Sequence, residues 1–187
     1  MAQNQSTATK VVTDKVRLSY VHVFKPTSVG EDGDDKYSVS IIIPKTNKAL
    51  IEKINAAVKA ATEAGKSAKF GGKVPANLKT PLRDGDTDRP DDEAYANSYF
   101  INATSSTKPG VVDKNLQAIL DPEEVYSGCY GRVSITFFAF NANGNKGIAA
   151  GLNNIQKLAD GDHLGGRQAP EVDFGDGFTD EDEDDDF

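Results

Sequence analysis

Residues 130–155 read YGRVSITFFAFNANGNKGIAAGLNNI. Val133, Ile135, Phe137 and Ala139 fall on one side of an extended chain, and Tyr130, Arg132, Ser134, Thr136, Phe138 and Phe140 on the other. Period-two alternation of this kind marks a strand with one buried face. Asn143-Gly144 supplies two residues that tolerate positive φ, the strongest short-range sign of a tight hairpin. Residues 146–155 then follow as the returning strand. An antiparallel hairpin is the first element the sequence predicts.

Working outward, residues 11–24 read as a long strand, with Val12, Val16, Leu18, Tyr20 and Phe24 on one face and Thr13, Lys15, Arg17 and Ser19 on the other. The turn-rich GEDGDD at 30–35 leads to a second strand at 37–43, closed by Pro44. Residues 46–64 predict a helix: Thr46 or Asn47 caps it, and Leu50, Ile51, Ile54, Ala57, Val58 and Ala61 form one apolar stripe. Gly65 is placed as its left-handed stop. Residues 65–94 show no sustained period and contain Pro75, Pro81 and Pro90. Strand character returns at 95–104, and a second loop runs through Lys108-Pro109-Gly110. About five strands, one helix and long loops suit a mainly β fold, an OB-fold-like antiparallel five-stranded barrel. The expected organisation is a disordered 1–9, a domain over 10–165 and a flexible, disordered acidic tail over 166–187.

The chain has 187 residues, of which 37% are hydrophobic and 27% charged, enough for one domain with a real core. No apolar run approaches the roughly 18 residues of a spanning helix. MAQNQSTATK at the N-terminus lacks the apolar core of a secretory leader. Cys129 is the only cysteine, so no intramolecular disulfide forms and a reducing, cytoplasmic setting is expected. The net charge of −8 divides unevenly. Residues 171–187 hold ten of the 29 acids and no base, which leaves 19 acids against 21 bases, a net of +2, on the body. A mildly basic body with an acidic tail hints at nucleic-acid traffic.

Several motifs imitate chemistry they lack the parts for. Gly65-Lys66-Ser67 ends like a phosphate-binding loop, but Ala60 stands where a Gly is needed and the helix precedes the motif rather than following it. Asp84, Asp86 and Asp88 imitate calcium ligands, yet Arg89 occupies the place of the turn Gly and Tyr95 that of the bidentate Glu. His22 and His163 are unpaired, and Cys129 has no nearby His, so no metal site, cofactor or catalytic triad is implied.

Single strands of nucleic acid are held by a basic groove along the phosphates and by aromatic faces on which bases stack. Both ingredients recur on the predicted strands. Tyr130, Arg132 and Phe138 share the outer face of the best strand, Lys15 and Arg17 the polar face of the first, and Tyr95 and Tyr99 one face of the third. Lys79 and Arg83 come from an acid-free basic stretch, and Lys146 opens the returning strand. These ten residues are the candidate DNA contacts. In the tail, Asp184, Asp185, Asp186 and a terminal Phe187 form an anionic strip with one hydrophobic anchor, suited to capture by a basic pocket on a partner protein.

PLRDGD at 81–86, KPGVVD at 108–113, DPEEVYSGCYGRVSITFFAF at 121–140 and GLNNIQKLADGD at 151–162 give the chain a wider likeness. It resembles the phage-encoded single-stranded DNA-binding proteins, OB-fold proteins with an acidic C-terminal tail ending in Phe. The resemblance implies a protein that is not an enzyme. It would coat single-stranded DNA without strong sequence preference during replication and recombination, and recruit replication or recombination proteins through its tail. A homo-oligomer is compatible with this reading, and a membrane partner is not expected. Two other classes stay open: an acidic-tailed interaction module or nucleic-acid mimic, and a metal-dependent nuclease or annealing enzyme.

Overall fold

The β7–β8 hairpin organises the domain. In the computed structural model, which describes residues 8–28 and 35–164, β7 spans Tyr130–Ala142 and β8 spans Asn145–Ala159. They pair from Ala142↔Asn145 to Tyr130↔Ala159. Asn143 (φ 53) and Gly144 (φ 86) both adopt the left-handed conformation that a two-residue turn of matching twist requires. The alternation resolves as expected: Val133, Ile135 and Phe137 are buried, whereas Arg132 and Phe138 are exposed.

The predicted single strand at 11–24 is two strands. β1 (Lys10–Val12) lies along β7, with Val11 opposite Ile135. The chain then turns at Thr13, which is buried; its hydroxyl accepts from the Val133 N–H at 3.0 Å. β2 (Val16–Ser28) forms an antiparallel hairpin with β3 (Asp35–Pro44). Its register shifts between Ser19 and His22, where Tyr20 takes a φ of 46°. That bulge buries Ser19 and leaves Tyr20 exposed, so Tyr20 leaves the apolar face on which the alternation placed it.

β5 (Ser98–Ser105) pairs antiparallel with β3 and parallel with β8, through Ala103↔Ala150. β2 returns to β7 through Arg17↔Tyr130. The ring β7–β2–β3–β5–β8 thus closes as the OB-fold-like barrel expected, except that one seam is parallel rather than antiparallel. β6 (Gly110–Val112) adds to the free edge of β8. Leu18, Val39, Ile41, Ile101, Val133, Ile135 and Ile155 fill the interior. Cys129 is wholly buried beside them, and burial pushes its thiol pKa up.

Helix α1 (Lys48–Ala68) is capped by Asn47, whose side-chain oxygen accepts from the Leu50 N–H at 3.3 Å. Leu50, Ile54, Ala57 and Ala61 enter the same core. The helix does not stop at Gly65. It runs through to Ala68, and the glycine is there because a side chain at 65 would collide with the Ala139 Cβ. The left-handed stop is taken instead by Gly71 (φ 67) and Gly72 (φ 91), whose N–H donates to the Lys66 carbonyl at 2.8 Å.

The stretch without period packs onto the outside of the barrel. It contains β4 (Arg83–Asp84), α2 (Gly85–Asp88) and a 3-10 turn at Glu93–Tyr95, so the strand expected from residue 95 begins at Ser98. Tyr95 is its anchor: the ring meets Phe100 edge-on at 5.1 Å and the hydroxyl donates to Ser40 Oγ at 2.9 Å. Lys45 Nζ lies 2.9 Å from Asp84 and 2.8 Å from Asp86. Asp86 also accepts from the Asn97 N–H at 3.0 Å. The bond to Lys45, followed by that from Asn97, holds the Asp86 carboxyl below the usual carboxylate range; Asp86, followed by Asp84, holds the Lys45 ammonium above its own. Among the described residues no helix is long and apolar enough to cross a membrane.

Two outcomes are expected. Gly65→Ala should destabilise the fold by roughly 1–3 kcal/mol through overpacking against Ala139. The Gly65→Ala, Ala139→Gly double variant should recover much of the loss in thermal melts. Because the Asp86 pKa is depressed on folding, its contribution is fully present above the ordinary value of about 3.9 and disappears as pH falls through the lowered one. Protection of the Asn97 amide, taken relative to its intrinsic exchange rate, should therefore hold down to about pH 4 and fall in stronger acid. In Asp86→Asn the exchange should be faster at neutral pH and lose that acid step.

Candidate nucleic-acid interface

A groove follows the outer face of the barrel between β2 and the docked segment. It consists of three recesses joined by shared walls. The first, about 170 Å³, has Lys15, Arg17, Ile42, Ser98 and Tyr130 in its wall and meets the second at Ala94. The second, about 650 Å³, lies among Ser19, Tyr20, Asp92, Glu93, Ser127, His163 and Leu164. Tyr20 separates it from the third, about 210 Å³, bounded by Ser38, Ser40, Arg89, Asn102 and Thr104.

Cations lie over rings along this path. Lys15 Nζ is 5.2 Å and the Arg17 guanidinium 5.6 Å from the centroid of Tyr130. Arg17 is also held in place, its Nε donating to the Gly128 carbonyl at 3.2 Å and its Nη2 to that of Asp162 at 2.8 Å. Arg89 lies 5.0 Å over Tyr20. His163 stacks on Tyr126 at 4.1 Å and 8°, and Leu164 N–H donates to the Ser127 carbonyl at 2.9 Å. The last described residue is therefore part of the groove wall.

Of the residues expected from sequence, Lys15, Arg17 and Tyr130 come together here. Tyr95 does not belong with them: it is wholly buried, and offering its ring to a base would unpack it from Phe100 and Ser40. Tyr99 and Arg83 lie on the other flank of the docked segment, where Lys45 sits 5.2 Å over Tyr99 and Arg83 pairs with Asp88 at 3.0 Å. Lys79 and Lys146 meet through their backbones at the base of the β7–β8 turn, with the Lys79 N–H donating to the Lys146 carbonyl at 3.2 Å. Arg132 projects from β7 and donates from Nε to the Thr13 carbonyl at 2.9 Å. Phe138 is 48% exposed on the same strand. Neither lines the groove. Asp184, Asp185, Asp186 and Phe187 lie outside the described residues.

Tyr20, Arg89 and His163 are the residues that sequence reasoning passed over. Arg89 had a signal, since it is the only base within the acidic run from Asp84 to Glu93. Tyr20 had none, because its exposure comes from a bulge. Four of the six acids of that run are engaged locally: Asp84 and Asp86 with Lys45, Asp88 with Arg83, and Asp92 with the Ala94 N–H. Among the described residues no group of three or more His, Cys, Asp or Glu is placed to hold a metal ion. The groove sets flat rings, the cations Lys15, Arg17 and Arg89 and hydrogen-bonding side chains beside the carboxylates of Asp92 and Glu93, an arrangement suited to binding.

Residues 9–187 match the family described as Enterobacter phage Enc34, ssDNA-binding protein. The putative protein p50 of Acyrthosiphon pisum secondary endosymbiont phage 1 is 32% identical over 167 residues, covering 84% of this chain and 87% of that one. Among solved structures, the single-stranded DNA-binding protein from bacteriophage Enc34 in complex with ssDNA is similar, with a TM-score of 0.74 at 28% identity. That likeness covers 84% of this chain and 90% of the other. The single-stranded DNA-binding protein gp2.5 of bacteriophage T7 shares the fold at a TM-score of 0.57 and 14% identity, covering 91% and 95% of the two chains. The almost full-length family match and the likeness of fold agree, and the chain belongs to the Enc34 family of phage single-stranded DNA-binding proteins.

Proposed function

We propose that this protein binds single-stranded DNA in the groove between β2 and the docked segment, coating it during phage replication and recombination in the host cytoplasm. The observation that carries the reading is the file of cation-over-ring pairs, Lys15 and Arg17 at Tyr130 and Arg89 at Tyr20, on the outer face of a barrel of this family. Each stacked base adds roughly 1–3 kcal/mol, and phosphate contacts add a salt-dependent term indifferent to sequence. Nothing in the reading calls for catalysis.

The acidic tail completes it. Leu164 lies in the groove wall, so the ten acids of residues 171–187 are attached within a short tether of Lys15, Arg17 and Arg89. A tethered competitor reaches effective concentrations in the millimolar range. DNA and tail then compete for the same cations, and DNA binding frees Phe187 and its flanking aspartates for a replication or recombination protein.

In gel-shift titrations the full chain should prefer single strands over blunt duplex, and equal or tighter duplex binding would overturn the reading. Lys15→Ala should weaken binding and reduce the log–log salt slope by about 0.7, the value of one single-strand phosphate contact. Phe138→Ala, outside the groove, should leave affinity unchanged. Deleting residues 171–187 should tighten binding at low salt, with the gain fading as ionic strength screens the tail. No tightening would reduce the tail to a docking element.

A further inference from the structure

The turn after β6 presents apolar surface to solvent. Leu116 is 72% and Leu120 85% exposed, and Leu116 holds a φ of 63°. A bulky side chain rarely adopts positive φ, and such outliers persist where the surrounding structure over-determines them. Asp113 does so here. Its Oδ1 accepts from the N–H groups of Asn115 at 2.8 Å and Gln117 at 3.0 Å, and its carbonyl accepts from the Leu116 N–H at 3.1 Å. The Gln156 side chain on β8 donates to that same carbonyl at 3.3 Å. The turn is a braced knob with a leucine near its tip. Asp113, Asp121, Glu123 and Glu124 flank the two leucines in sequence, against Lys114 alone.

An apolar recess of about 430 Å³ lies where the end of α1 passes β7. Ala61, Ala64, Gly65, Ala68 and the exposed Phe138 line it, and Lys69 stands in its wall. Lys10 on β1 and Lys66 on α1 are exposed next to lining residues, and Glu63 is the only acid in residues 61–73. Among the described residues none of these charges is in an ion pair. The knob is thus apolar within an acidic collar, and the recess apolar within a basic rim. Val12, Ser134, Asn154 and Gly110 form one row across β1, β7, β8 and β6, so three strand spacings, roughly 14 Å, separate the two outer strands. β6 runs parallel to β8, so the knob lies toward the Tyr130–Ala159 end of the hairpin, whereas the recess lies toward its Asn143-Gly144 tip. Braced at the opposite corner, a knob cannot enter the recess of its own chain.

We propose that the Leu116–Leu120 knob of one copy of this chain seats in the α1–β7 recess of a second copy, head to tail. Burial of the leucines drives the contact, and the acidic collar against Lys10, Lys66 and Lys69 sets its orientation. The two patches differ, so the contact is heterologous: each added copy leaves a knob and a recess open for the next, and a file or ring forms rather than a closed pair. Neither patch lines the groove beside β2. The proposal therefore stands apart from the single-stranded DNA reading, and its test uses no DNA.

The test is sedimentation velocity of the full chain over a micromolar to millimolar concentration series. The mass of the unaltered chain should grow past that of a dimer, and should grow less as added salt screens the charged rims. A knob variant combines Leu116→Asn, which tolerates positive φ, with Leu120→Asp. It should weaken self-association roughly tenfold to a hundredfold for each leucine removed. A recess variant, Ala64→Glu with Ala68→Glu, changes two exposed helix positions and should weaken it comparably. Mixed together, the two variants should form one-to-one dimers and nothing larger, because one intact knob then faces one intact recess. An unaltered chain that stays monomeric, or that stops at a closed dimer, overturns the proposal whether or not a variant misfolds. So does a recess variant that associates as the unaltered chain does, the result expected if residues 1–7 of the same chain cover the recess. A mixture of folded variants that yields no dimer also overturns it.

Discussion

The hydroxyl of Tyr95 donates to Ser40 while its ring meets Phe100 edge-on, and the groove exists because of these two contacts. Ser40 and Phe100 belong to β3 and β5, on the outer face of a barrel already filled by Ile41 and Ile101 from the other side. An outer face carrying Ile42 and Phe100 would expose apolar surface to water. Covering it with Tyr95 removes that surface and brings the flanking residues against β2. The wall of the groove is therefore a by-product of burying a second, smaller core, and the position of Arg89 is inherited from it.

The same docking explains how a chain of net charge −8 can present a cationic path. Four aspartates of the docked segment face Lys45, Arg83 and backbone N–H groups at close range, where opposite charge and hydrogen bonds use up their field locally. Lys15, Arg17 and Arg89 lie over rings instead, which attract a cation without neutralising it. Those four acids are spent within the docked segment, whereas Lys15, Arg17 and Arg89 are paired with no carboxylate among the described residues. Composition cannot reveal that division, because it depends on which side chains the fold places within reach of each other.

Local rules made part of this legible. The β7–β8 hairpin was readable because alternation and an Asn-Gly turn agree, and the start of α1 because a capping side chain needs only its own first turn. The end of α1 was misread at Gly65, where the need for a hydrogen in place of a side chain arises from Ala139, far along the chain. Residues 11–24 were read as one strand because nothing local announces that Thr13 will be buried against Val133. The groove was least legible. Lys15, Arg17 and Tyr130 were picked out by residue type and strand face. Tyr20 depends on a bulge, and Arg89 on the docking of a segment with no period of its own.

Cys129 is sealed within this architecture, with no exposed surface and a thiol pushed toward its uncharged form, so alkylating reagents, which are attacked by an accessible thiolate, should pass it by. Because it is the only cysteine in the chain, the native surface is free of reactive sulfur. A cysteine introduced at an exposed position such as Asn145 would then be the sole target for a maleimide dye. The protein can carry a fluorophore at a chosen point without any change to its interior, which makes it a ready reporter of its own attachment to single-stranded DNA one molecule at a time.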